Sequence, residues 1–496
     1  MRKFDSMMRR VNSVLLFFVI ALFASQCFAQ SASNSASEQS SKSRQYMELM
    51  SGVFDFVQRN YVDEIDPQVL YEGALKGMLD SLKDPYTVYL DKNSFRSISD
   101  TTSGAFGGVG LQISKAVETS SEKPAYVEVA SPVEDTPGFK AGILAGDLII
   151  SINGTDTSTI TMEQVLDLLR GKVGEGVNLM IRRGKNMEFP VTLVRAIIEV
   201  PTVKYGMIEG TKIGYVRLIE FTPQTAERTQ EALDFFKASN ATSLIIDLRN
   251  NPGGLITSAV DVADKFIDKG PIVSTKSRLS FENSVFTATP KKTTVRDMPI
   301  VVLINKGSAS ASEIVSGALK DNHLAYLVGQ RTYGKGSVQQ VLPLSATDGL
   351  KITMARYYTP SDVNIDKIGI PPDREILFPV LSEDGEKQYL ELYKSTEIAD
   401  FVDGRSNLSE KQISDYAKRL KNKYPAIDEA SLRKLVRNEV NKTKGALLYD
   451  LDYDIQLNEA ISILQKENFT TLIKSTKMLK ELQELALLEE KKDEKK

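Results

Sequence analysis

The sequence has very few of the residues that most often carry metal or nucleophilic chemistry. Its 496 residues include one histidine, one cysteine and no tryptophan. A two-histidine metal motif, a cysteine zinc site and a disulfide framework are therefore excluded, and a catalytic triad would have to use His323. The 62 Lys and Arg residues nearly balance the 65 Asp and Glu residues. This balance argues against a nucleic-acid binder, because such a protein needs a basic surplus.

The first 29 residues have the pattern of an export signal. Four basic residues precede the apolar run 14–24, which is shorter than the ~20 residues that span a bilayer. Because Ala29 offers a small residue before a cleavage site, we expect residues 1–29 to be removed and the protein to be periplasmic or in the cell envelope. Cys27 leaves a lipid anchor, or an uncleaved membrane anchor, as the alternative. The Ser-rich residues 30–43 predict a flexible linker.

Changes of residue pattern divide the rest of the chain into four regions. Residues 44–103 and 377–496 carry apolar residues at helical spacing. Residues 104–198 contain short apolar runs and Gly-rich turns, which are typical of a small β domain. In residues 199–376, buried apolar strands alternate with helical segments, which predicts an α/β core of sheet and helix layers. The Ser- and Thr-rich stretch 97–104 is interpreted as a hinge.

Three serines stand where a core strand passes into a predicted helix. They are Ser308, Ser310 and Ser312. Unpaired backbone N–H groups at a helix start can stabilise a developing negative oxygen, which suits a nucleophilic serine. From this segment alone, serines that only cap the helix are the simpler interpretation.

Lys335, between two glycines, is the strongest candidate for a base. A phosphate-binding P-loop is disfavoured because Gly336 replaces the Ser or Thr that would bind magnesium and no helix follows. A lysine serves as general base to a serine when burial lowers its pKa from about 10.4 toward roughly 7 to 8. His323 lies 13 residues after Ser310, roughly 20 Å along a continuous helix, and is interpreted as an ordinary helix-end histidine.

Three motifs in order resemble those of the carboxyl-terminal processing peptidases, serine proteases that use a Ser-Lys pair. They are DLRNNPGG (247–254), NKGSASASEI (305–314) and GQRTYGKGSVQQ (329–340). In that family the nucleophile stands 25 positions before the lysine, so the resemblance implies Ser310 as nucleophile and Lys335 as general base. It also implies that Gln339 orients the lysine.

The resemblance further implies the surroundings of the pair. The backbone N–H groups of Gly253, Gly254 and Ala311 would form the oxyanion hole. No metal or organic cofactor is expected. The implied fold is multidomain α/β, with a crotonase-like protease core, an inserted β domain and helical regions at both ends.

Residues 107–195 resemble a bacterial PDZ domain through GGVGLQI and PGFKAGILAGDLIISING. Glycine-loop amides can hold a terminal carboxylate while the next strand pairs with an extended peptide. The expected peptide-binding residues are Gly107, Gly108, Val109, Gly110 and Leu111. Arg170 matches an arginine that couples peptide binding to activity in related enzymes. A β domain that serves only as a spacer is the alternative.

Together these features predict an exported serine endopeptidase that recognises C-terminal tails of protein substrates and cleaves them in the core. A catalytically silent peptide-binding scaffold is the rival hypothesis, and the presence of both Ser310 and Lys335 argues against it. Expected partners are proteins or peptides with accessible C-termini and an adaptor protein. Amphipathic helices at both ends also allow homodimerisation.

Overall fold

The computed structural model describes residues 41–493, apart from 116–124, 134, 145, 185–186, 200–201, 380, 406–407 and 442–446. The predicted signal peptide (1–29), Cys27 and most of the predicted linker (30–43) therefore lie outside the described residues. Contacts divide the chain into two units, Met1–Tyr89 and Leu90–Lys496. In the described part of the chain, no helix is both long and apolar enough to cross a membrane.

The first unit is helical. Its helices are α1 (41–60) and α2 (Pro67–Asp80), and β1 (Val88–Leu90) follows at the unit boundary. Asp66 caps α2 by accepting a backbone N–H of the first turn, and Pro67 needs no N–H partner there. The Asp84-Pro85 step predicts the break that ends α2, but the helix already ends at Asp80.

The predicted hinge at residues 97–104 is wrong, because most of it belongs to helix α3 (Lys92–Ser103). Three ion pairs connect α3 to the following β domain: Lys92–Asp167 at 3.2 Å, Arg96–Asp167 and Arg170–Asp100. The Ser and Thr residues of α3 therefore lie in a helix that is tied to its neighbour by charged side chains.

The β domain follows α3. Its elements are β2 (Ala105–Gly108), β3 (Leu111–Lys115), β4 (Val127–Pro132), α4 (Pro137–Lys140), β5 (Leu148–Ile152), β6 (Thr155–Asp156), α5 (Met162–Leu169), β7 (Gly176–Arg183), β8 (Met187–Val194) and β9 (Ala196–Glu199). One sheet has the order β3-β4-β5-β7-β8, with β6 beside β5, while β2 pairs with β9. Apolar side chains from the sheet and α5 form one core. Strand β3 lies at the end of its sheet, and no described strand pairs with its outer edge.

The α/β core contains two sheets. Its elements are β10 (Val203–Met207), β11 (Ile213–Leu218), α6 (Thr225–Ala238), β12 (Ser243–Asp247), α7 (Ile256–Ala263), β13 (Pro271–Ser277), a 3-10 helix (Ser280–Glu282), β14 (Ser284–Thr287), β15 (Ile300–Ile304), α8 (Ala311–Asp321), β16 (Tyr326–Gly329), β17 (Ser337–Pro343), β18 (Gly349–Tyr358) and β19 (Arg374–Glu375). The main sheet has the order β10-β11-β12-β15-β16-β19, and all its pairs except β10-β11 are parallel. A smaller antiparallel sheet contains β17, β18, β13 and β14.

The C-terminal region is helical. Its helices are α9 (Glu383–Lys394), α10 (Glu397–Val402), α11 (Glu410–Lys423), α12 (Glu429–Asn441), α13 (Ile455–Lys466), α14 (Phe469–Lys474) and α15 (Leu479–Asp493). Helices α9 to α12 share an apolar cluster of their own. The start of α15 instead reaches the core, where the Leu479 N–H donates to Asp321 at 2.7 Å.

Both faces of the main sheet are covered, which explains why its strands are continuous apolar runs. In β12, Leu244 and Ile246 pack with α6, α7 and α8. Ile245, which points the other way, packs with α13. The parallel strands β12 and β15 are neighbours, with Asp247 opposite Leu303, so the loops that follow them emerge side by side at one edge of the sheet.

Candidate active site

Ser310 lies where the loop after β15 passes into α8. Its backbone has φ 54 and ψ −113, a region that residues with a side chain rarely adopt. The residue is only partly buried. The strained backbone therefore holds a serine at the start of α8, next to Ala311, whose N–H donates to no acceptor among the described residues.

The two neighbouring serines are used differently. Ser308 and Ser312 are fully buried. The Ser308 hydroxyl donates to the Leu248 carbonyl at 2.8 Å, and the Ser312 hydroxyl donates to the Asn251 carbonyl at 2.9 Å. Both therefore tie the start of α8 to the loop after β12.

Asn251 organises that loop and was not anticipated from the sequence. Its side chain is fully buried, donates to the Leu218 carbonyl and accepts the Gly253 N–H, each at 2.9 Å. Its carbonyl accepts the Ala309 N–H at 3.0 Å. One residue therefore joins β11 and the glycine turn through its side chain and the serine segment through its carbonyl.

The glycines of the turn lie where no side chain fits. A Cβ on Gly253 would stand 2.8 Å from the Ser310 Cβ, and a Cβ on Gly254 would stand 2.2 Å from the Phe221 carbonyl oxygen. Both residues also have positive φ, 109 and 135, which favours glycine. The Gly253 backbone therefore lies directly against Ser310.

The three predicted oxyanion donors differ in their bonding. The Gly253 N–H donates to Asn251. Within the described residues, the N–H groups of Gly254 and Ala311 donate to no acceptor. Two amides on two different loops are thus available to an incoming oxygen, although the role of all three stays a prediction.

A buried carboxylate joins Ser310 to the loop 330–336, which carries Lys335 and is called the lysine loop below. Glu313, in the first turn of α8, is fully buried. Its Oε2 accepts the N–H groups of Ser310 and Lys335, both at 2.9 Å. Its Oε1 accepts the Gly334 N–H at 2.7 Å and the Thr332 hydroxyl. We call these contacts the Glu313 network.

The Glu313 network brings together two segments that are 25 positions apart in the chain. Because both backbone nitrogens contact one oxygen, those of Ser310 and Lys335 lie within about 6 Å of each other. Sequence reasoning missed Glu313. The available signal was its position three residues after a serine at a helix start, which is a capping-box pattern.

The electrostatics of the network are those of a desolvated site. Burial raises the pKa of Glu313, and the hydrogen bonds from Thr332, Lys335, Gly334 and Ser310 only partly oppose this rise. Burial also raises the pKa of Tyr357 well above its usual value. The Tyr357 hydroxyl therefore stays protonated, and it donates to the Ser310 carbonyl at 3.2 Å.

The lysine loop is also held from its other side. The Gly336 carbonyl accepts the Tyr357 N–H at 3.0 Å and the Asn364 side chain at 3.2 Å. Gln339 lies on β17, four residues after Lys335, where its amide nitrogen donates to Ser337 at 2.8 Å and to Thr353 at 3.4 Å. The orienting role of Gln339 stays a prediction.

His323 lies just beyond the end of α8 that is distant from Ser310, as expected from its spacing. Its Nδ1 contacts the Thr476 hydroxyl at 2.8 Å. A helix of 11 residues separates the two, which is roughly 16 Å of axial rise.

The predicted peptide-binding residues lie together in the β domain. Gly107 and Gly108 belong to β2, Val109 is buried and Leu111 begins β3. Gly110 has φ 72, and a Cβ there would stand 2.2 Å from the Thr136 side chain. The glycine loop therefore packs tightly against Thr136, directly before the edge of β3 that no described strand covers.

Arg170 points to the helix that precedes this domain. Its guanidinium pairs with Asp100 and lies 4.5 Å from the centre of the Phe106 ring. These side chains line a cavity of about 280 Å³ together with Arg96, Gly107, Asp167 and Gly171. The cavity adjoins the glycine loop through Gly107.

Comparisons with known proteins agree with this architecture. The chain matches the family models "Activating protease CtpB N-terminal domain" over residues 11–94, "PDZ domain" over 128–183 and "Peptidase family S41" over 212–376. It is 36% identical over 462 residues to the carboxy-terminal-processing protease of Bartonella bacilliformis, covering 91% of this chain and 96% of the relative. It is 32% identical to the carboxy-terminal processing protease CtpA of Bacillus subtilis, covering 68% of this chain and 71% of the relative.

A solved structure is also similar. The photosystem II D1 C-terminal processing protease is 30% identical, covers 67% of this chain and 94% of its own, and superimposes with a TM-score of 0.39.

The mixed α/β fold and these matches define a serine endopeptidase with a PDZ domain. The chain belongs to the carboxy-terminal-processing protease family. The family, the enzyme class and the PDZ domain predicted from the sequence are thereby confirmed.

The Glu313 network can be tested with Glu313→Gln. The variant keeps the shape of the side chain but replaces one accepting oxygen with an NH₂ group, so at least one pair of donors loses its acceptor. Because charged hydrogen bonds contribute about 1.5–3 kcal/mol, we expect kcat for a peptide substrate to fall roughly 10- to 100-fold.

A matched control is Glu227→Gln, which changes an exposed glutamate in the first turn of α6. It should leave kcat unchanged. A folded Glu313→Gln protein with the kcat of the unmodified enzyme would show that the network does not position the site.

Proposed function

We propose that the enzyme cleaves peptide bonds with Ser310 as nucleophile and Lys335 as general base. The observation that carries this proposal is the Glu313 network, in which one carboxylate oxygen holds the backbones of both residues. The burial of Ser308 and Ser312 and their bonds to carbonyl groups support Ser310 among the three serines. Gln339 on the strand after Lys335 is proposed to orient the lysine side chain.

The proposed reaction has two halves. The Ser310 oxygen attacks the substrate carbonyl carbon while its proton passes to neutral Lys335, and the carbonyl π electrons move onto oxygen. The oxyanion is stabilised by the N–H groups of Gly254 and Ala311, with Gly253 as the third predicted donor. Collapse of the intermediate breaks the C–N bond, and protonated Lys335 returns the proton to the leaving amine. Water then releases the acyl group by the same steps, with Lys335 again as base.

Substitutions in the pair test this assignment. Ser310→Ala and Lys335→Ala should each abolish peptide cleavage, and the double variant should be no worse than either single one, because the two residues act as a unit. Cleavage of an unfolded protein, followed by gel and mass spectrometry, measures the effect. Near-normal activity in a folded Ser310→Ala protein would overturn the assignment and direct attention to Ser308 and Ser312.

We further propose that the PDZ domain reads the C-terminal tail of protein substrates. Support comes from the glycine loop 107–110, which directly precedes β3, whose outer edge pairs with no described strand. Amides in such a loop can hold a carboxylate while a peptide extends the sheet. Arg170, beside Gly107 in the adjoining cavity, is proposed to couple tail binding to the active arrangement.

Amidation of a substrate's C-terminus tests tail recognition. Loss of a charge-assisted hydrogen bond worth about 1.5–3 kcal/mol should weaken processing below saturation by roughly 10- to 150-fold. Gly110→Val should have a similar effect, because its side chain would collide with Thr136. Equal cleavage of amidated and free-acid substrates would instead make the PDZ domain a spacer or a gate.

We propose a crotonase-like sheet-and-helix core at 199–376, with the PDZ domain at 104–198 and helical regions at 44–103 and 377–496. The core proposal is supported by a main sheet that is parallel from β11 onward and covered on both faces. Homodimerisation through the terminal helices and use of an adaptor protein are proposed as well.

Export is the last proposal and rests on residues 1–29. Mass spectrometry of the mature protein should show an N-terminus at Gln30, in a periplasmic or cell-envelope fraction. Retention of residues 1–29 in the mature protein, or a lipid on Cys27, would contradict cleavage and show an anchored protein.

A further inference from the structure

An arginine in the glycine-turn motif forms a two-point ion pair with an aspartate of the C-terminal helical region. Arg249 lies two residues beyond β12 and four residues before Gly253. Its Nη1 and Nη2 donate to the two carboxylate oxygens of Asp454 at 2.8 and 2.6 Å. Asp454 is 205 positions away in the chain and lies outside the stretch that matches the protease family model, which ends at residue 376.

The hydrogen bonding of Arg249 is complete. Its Nε and Nη2 also donate to Asp247 at 2.9 and 2.6 Å, and its Nη1 reaches Gln456 at 3.2 Å. All five N–H donors of the guanidinium therefore have acceptors. Two-point contacts with two carboxylates fix the direction of the group as well as its position.

The arrangement is largely buried. The side chains of Arg249, Asp247 and Asp454 are 12%, 2% and 18% exposed. The two carboxylates outweigh burial and raise the pKa of Arg249. Removal of one carboxylate from such a site leaves a poorly compensated buried charge, which must find another position.

The Arg249–Asp454 ion pair bears on the active site because Arg249 begins the turn that lies against Ser310. From Arg249 the chain passes through Asn250, at φ 57, to the buried Asn251, which holds the Gly253 N–H and the Ala309 N–H. A displacement at Arg249 is thus transmitted over a few residues of tightly bonded backbone to the predicted oxyanion donors.

We propose that Asp454 is a positioning residue for catalysis: through Arg249 it holds the 249–254 turn so that its amides face the carbonyl under attack. This inference rests on the proposed function, since it assumes that these amides stabilise the oxyanion. It assigns the C-terminal helical region a part in the chemistry, although that region contributes no group that touches the substrate.

The test uses Asp454→Asn in the full-length protein. Asp454 also caps α13 by accepting the Leu457 N–H, and asparagine caps a helix as well as aspartate does. The variant therefore keeps the cap and removes the charge and one acceptor that face Arg249. Asp452→Asn is the matched control, because Asp452 lies two residues earlier and pairs with Arg437 of α12.

Loss of one oxyanion donor lowers kcat by about 10²- to 10³-fold in a serine protease. Misplacement of the turn in Asp454→Asn should therefore lower kcat by roughly tenfold or more, with KM for a peptide substrate nearly unchanged. Asp454→Glu should recover part of the lost kcat because it restores a carboxylate. Asp452→Asn should keep the kcat of the unmodified enzyme.

Two results would overturn the inference. One is a normal kcat in Asp454→Asn. The other is an equal loss in Asp454→Asn and Asp452→Asn, accompanied by equal decreases in thermal midpoint, which would make the contact merely structural. Because Ser310→Ala reports on the nucleophile itself, a failure of this inference is distinguishable from a failure of the proposed function.

Discussion

The active site depends on a carboxylate that has been removed from water. Glu313 is fully buried, and a charge in that position is tolerated only when hydrogen bonds replace its hydration. The donors available are the N–H groups of Ser310, Gly334 and Lys335 and the hydroxyl of Thr332. The hydrogen bonds that stabilise the Glu313 carboxylate therefore require the backbone at Ser310 and the lysine loop to lie next to each other.

The second constraint is the close approach of the glycine turn. Parallel pairing of β12 and β15 places the two following loops side by side, and the absence of a side chain at Gly253 lets the turn lie against Ser310. Asn251 then fixes the turn from inside, and Arg249 fixes its start through Asp247 and Asp454. The proposed chemistry thus combines a nucleophile segment, a base segment and an amide-bearing turn, which lie in the loops after β15, β16 and β12.

Much of this was accessible from the sequence, because the motifs are local. Ser310, Lys335 and the glycine turn lie in three short motifs, and the family resemblance of these motifs singled out Ser310 among the three serines. Glu313 was accessible in principle as the third residue of a capped helix. The contact of Asp454 with Arg249 could not be predicted from the sequence, because no short motif connects residues that are 205 positions apart. The hinge at 97–104 was wrong because Ser and Thr composition does not register the ion pairs that dock α3.

The most direct test of the account is a crystal structure of the Lys335→Ala protein with an uncleaved peptide bound. The account predicts the carbonyl carbon of the scissile bond about 3–3.5 Å from the Ser310 hydroxyl oxygen. It also predicts that the carbonyl oxygen accepts the N–H groups of Gly254 and Ala311 at about 2.7–3.1 Å. A scissile carbonyl beside another serine, or with its oxygen turned away from both amides, would contradict it.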